Sequence, residues 1–182
     1  MTKPYAWVAA LTLIAAPATA QTSPYAAEAP REIAALSAEE TASLLDGAGM
    51  GFARAAELNG VPGPRHSLDM ADELHLDDAQ RTRLQQIFER MQTRARALGA
   101  DIVAAERELD RSFRDGGASA AEIERRSIDL GRLYGELRAA HLTAHLETAA
   151  VLSPHQATRY AELRGYRASN PNGAASDHGA HH

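Results

Sequence analysis

The chain has 182 residues, a net charge of −5 and no cysteine. Its length fits one domain with tails. The missing cysteine excludes disulfides and thiolate metal sites, and leaves His, Asp, Glu and Met as metal donors. The acidic balance argues against a nucleic-acid partner, and an aromatic content of 5% fits a lean helical bundle.

Residues 1–20 read as a secretory signal peptide. Lys3, the only lysine, supplies the positive start, Ala6 to Ala16 the apolar core, and Ala18-Thr-Ala20 the small-residue cleavage site. The apolar run is shorter than the roughly 20 residues of a membrane span. Cleavage is therefore expected, with the mature chain starting near Gln21, outside the cytoplasm. No cysteine follows the site, so no lipoprotein anchor is expected. Residues 21–36, rich in Ala and Pro, read as a flexible leader.

The helical domain is expected over 37–166. Ser37-Ala-Glu-Glu40 is a capping box that opens a first helix, which runs through Leu44 and Leu45 to Gly47. Gly47, Gly49 and Gly51 interrupt the pattern, and close packing of neighbours is the expected reason. It resumes over Phe52–Leu58. Asn59-Gly-Val-Pro-Gly-Pro64 must be a turn. Arg65 to Leu74 reads as a short helix, with His66, Met70 and Glu73 on one side and Asp69 alongside. Asp77 reads as the next N-cap.

From Asp78 to Arg114 the pattern is one long helix. Leu84, Phe88, Met91, Ala95, Leu98, Ile102, Ala105 and Leu109 form a seam in steps of four and three. Asp115-Gly-Gly-Ala118 breaks it, and Ser119 to Glu122 reads as another capping box. The next helix runs to about Val151, with a seam that includes Leu130, Tyr134, Leu137, His141, Ala144 and Thr148. Two seamed helices joined by a short Gly-rich loop should fold back as an antiparallel hairpin. Ser153, Pro154 and Gln156 then start a last helix that reaches about Tyr166. Residues 167–182, with His178, His181 and His182, read as a disordered tail. No strand is expected.

His141 and His145 stand four residues apart, so both imidazoles share a helix face and can offer two metal ligands. His141 falls on the buried seam and His145 on its flank. The plain alternative is a hydrogen-bonded core histidine beside a solvated one. Leu142 occupies the position of the glutamate in a hydrolytic HExxH motif, so zinc hydrolysis is not expected. His66, Asp69, Met70 and Glu73 form a second cluster. Alone it is ordinary helix polarity, but the hairpin returns the histidine pair to the same end. A mixed N and O donor set with optional thioether suits Ni, Co, Cu or Zn better than Ca or Mg. No nucleophile with a base and no cofactor loop can be named, so an enzyme is not expected.

Leu152-Ser-Pro-His-Gln156, with the looser Leu76-Asp-Asp-Ala-Gln80, resembles the LTxxQ-type motif of the periplasmic Spy/CpxP-like and heavy-metal resistance superfamily. The stretches AELNGVPGPRHSLDMADEL and ELRAAHLTAH resemble its metal-sensor branch. The resemblance covers Ser37 to Tyr166. It implies an all-α, hooked domain of four to five helices built on a long antiparallel hairpin, often a homodimer, in the periplasm. One branch consists of ATP-independent chaperones or envelope-stress modulators acting on unfolded envelope proteins. The other binds a divalent transition metal and reports it to a membrane-bound regulator. The resemblance matches His141 and His145 to its ligand step, His66 less closely, and Glu73 or Asp69 only by position; Met70 is a weaker candidate from the helix spacing. The expectation is a heavy-metal-binding sensor or resistance protein, and the alternative is a chaperone. Two departures are the acidic, lysine-free mature chain, where a chaperone cradle would carry basic rims, and the lack of the membrane anchor some sensors use.

Overall fold

Polar side chains decide where the main helices start. In a computed structural model of the chain, which describes residues 22–28 and 30–166, α1 (Ala38–Asp46), α4 (Asp78–Arg114) and α6 (Pro154–Leu163) each open on a complete capping box, at Ser37, Asp77 and Ser153. In each, the cap oxygen accepts the N3 amide, and the N3 side chain accepts the cap amide. At α5 (Ala120–Val151) only half of the expected box forms. Ser119 accepts from the Glu122 amide, but the Glu122 carboxylate pairs with Arg126 one turn on. The expected signal segment and the His-containing tail lie outside the described residues.

Residues up to Pro30 form a small unit of their own, whose described element is one 3-10 turn, Ala26–Glu28. The second unit begins at Arg31. Ile33 and Leu36 are buried in a core cluster with Leu44, Leu98 and Ile102, because apolar side chains that close to α1 have a surface to cover.

Within this unit, α4 and α5 pack along their length as an antiparallel hairpin, bridged by Arg90–Glu147 and Arg94–Glu136. The 37 residues of α4 span about 55 Å. The seam is correct at Leu84, Ala95, Leu98 and Ile102, while Ile87, Val103 and Glu106 are also buried. Glu106 receives a hydrogen bond from Tyr134 at 3.4 Å. Burial pushes the Glu106 carboxyl up, and burial together with this neighbour pushes the Tyr134 hydroxyl up to about 12.

Among the described residues there are six α-helices, one more than expected. Gly47, at φ +68°, terminates α1 in the left-handed region, so the Phe52–Leu58 pattern forms a separate one-turn helix, α2 (Arg54–Glu57). Close packing holds at Gly47, beside Arg96 and Ala95, but not at Gly49, which has open space around it. The tightest approach lies elsewhere. A Cβ on Gly99 of α4 would overlap the Leu44 carbonyl oxygen, so this glycine lets the α1 backbone sit directly on α4. The helix expected over 65–74 is shorter, as α3 (Pro64–Asp69), with turns after it. The last helix also stops early, at Leu163.

Two apolar clusters result. One joins α1, the middle of α4 and the middle of α5. The other gathers Leu74, Leu76, Leu84, Ile87, Ala144, Leu152 and Tyr160 at the open end of the hairpin. The open end is locked by the two Leu-x-x-x-Gln segments acting on each other. Gln80 and Gln156 exchange amide hydrogen bonds of 2.9 Å in both directions. Gln80 also donates to the Val151 carbonyl, and Gln156 to the Leu74 carbonyl, both at 3.1 Å. Each side-chain oxygen in addition accepts its own cap amide. Both amides thus use two donor hydrogens and both acceptor sites. Leu76 and Leu152 are buried beneath them. No helix in the described residues is long and apolar enough to cross a membrane.

Candidate functional site

A gap opens beside α5. A cavity of about 630 Å³ opens there, lined among others by Met50, Glu57, His66, Met91, His141 and His145. The α5 helix supplies His141 and His145, one turn apart. The turn between α2 and α3 closes over them, and Arg164 and Tyr166, just after α6, complete the wall.

His141 is 3% exposed, and its Nε2 is buried without a hydrogen-bond partner. Its ring stacks on Phe52, with centroids 5.9 Å apart and planes 14° apart. Burial, and then the neighbouring His145, push its pKa below the usual imidazole range. Burial thus favours the neutral ring, in which one nitrogen carries a lone pair that can coordinate.

His145 is buried, not flanking. The reason is long-range. The turn after α2 folds over it, and its Nδ1 lies 3.0 Å from the Val61 carbonyl. A carbonyl only accepts, so Nδ1 carries the proton and a neutral ring keeps its lone pair on Nε2. Gly63 makes the room. A Cβ there would stand 2.6 Å from Cε1 and 2.7 Å from Nε2 of His145.

Facing His145 Nε2, at 3.8 Å, is Glu57 Oε1. Sequence reasoning missed this carboxylate, although it lies inside the AELNG stretch quoted above. Glu57 is heavily engaged. Tyr160 donates to it at 3.0 Å, Tyr166 at 2.7 Å, and the Arg164 guanidinium lies at 3.6 Å. The Tyr160 oxygen accepts in turn from the Gly63 amide at 3.3 Å. Burial is the first reason that the Tyr160 hydroxyl is raised far above its ordinary value.

The other expected residues divide. His66 lines the same cavity, half-exposed, with Nδ1 3.7 Å from Asp69 Oδ2. Asp69 lines the cavity too and also meets Arg65. Glu73 and Met70 are not in its lining. The helical spacing that put them beside His66 ends with α3 at Asp69, and Glu73 is exposed on the following turn. Met70 instead packs against the open-end cluster. The thioethers at the cavity are Met91 and Met50. Met50 sits at φ +42°, a strained backbone for a non-glycine residue.

The donor types fit a transition metal. There is an unpartnered buried imidazole nitrogen, a second imidazole with a fixed tautomer, a carboxylate and nearby thioethers. Among the described residues, no three His, Asp or Glu side chains already stand close enough together to hold an ion. Coordination would therefore require side chains to move, with Glu57 leaving part of its present network.

The sequence model of the LTXXQ motif family matches residues 65–164. This covers more than half of the chain, from the first turn of α3 to the residue after α6, and includes both Leu-x-x-x-Gln segments. No curated protein and no solved structure matches the chain. The family is helical, non-enzymatic and associated with Spy/CpxP-like periplasmic proteins. With its all-α hairpin and its paired glutamine caps, the chain belongs to the LTXXQ motif family.

Proposed function

We propose that this protein is a periplasmic heavy-metal-binding sensor or resistance protein that takes a divalent transition metal, Ni, Co, Zn or Cu, into the cavity beside α5. One observation carries the reading. The unpartnered, neutral His141 and the oriented His145 open onto one cavity with the Glu57 carboxylate. An unsatisfied buried nitrogen is costly, and a metal would satisfy it. His141, His145 and Glu57 are the proposed holders, with His66 and Asp69 on the cavity wall as further donors. The metal would supply a charged cross-link between α5 and the α2–α3 segment. The N-terminal segment, read as an export signal, supports a periplasmic location, and the net charge of −5 speaks against a nucleic-acid partner. The proposed partners are a second copy of the chain and a membrane-bound regulator.

The test uses purified mature chain, from about Gln21, titrated with zinc(II) and nickel(II), with and without chelator. The expected result is stoichiometric uptake, a metal-dependent rise in melting temperature, and homodimers in sedimentation. A chaperone of unfolded envelope proteins would instead suppress client aggregation at stoichiometric amounts, unchanged by chelator, and take up no metal.

A further inference from the structure

The carboxylate that faces His145 also holds the end of the helical domain. Helix α6 ends at Leu163, and the chain then turns through Arg164, Gly165 at φ +73°, and Tyr166. From this short stretch and the last turns of α6, three side chains converge on Glu57. These are the Tyr160 hydroxyl, the Tyr166 hydroxyl and the Arg164 guanidinium. Arg164 also donates to the Tyr166 oxygen at 3.2 Å and lies over its ring at 5.7 Å. Its Nε is buried with no partner, so its contacts run through Nη2, toward Glu57 and Tyr166. Both Arg164 and Tyr166 line the cavity that His141 and His145 line.

We propose that Glu57 is a switched carboxylate, which clamps the turn after α6 through Arg164 and Tyr166 until a divalent cation at His145 takes it over and loosens that turn. The inference rests on the metal reading above. One carboxylate cannot neutralise both a guanidinium and a divalent ion, and two cations a few ångströms apart repel in a half-buried site. Arg164 is the partner that gives way. It is about one-third exposed and sits beyond the helix end. His145 is pinned by Val61 and enclosed by Gly63. Arg164 is thus an internal competitor that sets the affinity. The turn is the readout, because two of the three side chains that hold Glu57, Arg164 and Tyr166, stand in it.

The experiment uses the full mature chain with His178, His181 and His182 replaced by alanine, and zinc(II) as the probe. Hydrogen exchange is followed in the peptide spanning 160–166. In the clamped state the Gly165 amide donates to the Glu162 carbonyl and the Tyr166 amide to the Ala161 carbonyl. Zinc should speed exchange at Gly165 and Tyr166, and Arg164→Gln should bind zinc about tenfold more tightly than wild type. Zinc uptake with unchanged or slower exchange, or weaker or equal binding by Arg164→Gln, overturns the switch and leaves the metal reading standing. If neither protein takes up zinc, the metal reading fails for this probe's site and the switch fails with it. Should Arg164→Gln not fold, the wild-type exchange result decides alone.

Discussion

His141 shows what a single burial can do to a titration curve. Its folded pKa lies below that of the unfolded chain, mainly because burial disfavours the charged ring. As pH falls below about 6.5, the ordinary imidazole value, the unfolded chain takes up the proton first. Stability is therefore complete above that pH and declines as pH drops toward the folded pKa. Urea unfolding between pH 7.5 and 5.5 should show this decline, and His141→Leu should flatten it. An equal slope in both proteins would show that His141 does not carry the effect. The burial of His141 was legible from its place in the four–three seam with Leu137 and Ala144. That of His145 was not, because its cover comes from Val61 and Gly63, more than 80 positions away in the chain. Glu57 was hidden for the same reason. Its partners Tyr160 and Tyr166 come from the far end of the domain, and no local spacing connects them.

The elements are joined at two points where one atom group decides the fit. Gly99→Ala places a methyl group against the Leu44 carbonyl, forcing α1 away from α4. The expected cost is about 1–3 kcal/mol, read as a lower urea midpoint. An unchanged midpoint would mean that α1 does not dock there. Gln80→Ala or Gln156→Ala leaves the surviving amide without a donor and an acceptor partner. Each should cost about 1–3 kcal/mol, and the double variant should cost less than the sum, since both remove one shared network. Strict additivity would contradict the reciprocal pair. The helix starts at Ser37, Asp77 and Ser153 were readable because a capping box is local chemistry. Ser119 was half-readable, since Arg126 competes for the Glu122 carboxylate. Gly99 was unreadable, because a lone glycine inside a long helix gives no hint of which backbone approaches it.

Across the helical unit, a two-helix hairpin carries two apolar clusters, and His141 and His145 line a gap beside α5. The hairpin and its order were legible, because two long seams and a Gly-Gly break admit few other arrangements. The identity of the carboxylate was not, because it depends on how the short α2–α3 segment closes over α5. If the gap is a metal site, the ion binds the native chain and stabilises it by about 2.7 kcal/mol at a hundredfold excess over Kd. Affinity should fall as protons compete for the imidazoles. The most direct measurement is calorimetric titration of zinc(II) and nickel(II) into two versions of the mature chain. One has His178, His181 and His182 replaced by alanine, and the other carries His141→Ala with His145→Ala. The account predicts tight binding at neutral pH that the first version keeps and the second loses. Binding that survives in the second version and disappears in the first would contradict it and assign the metal to the C-terminal histidines.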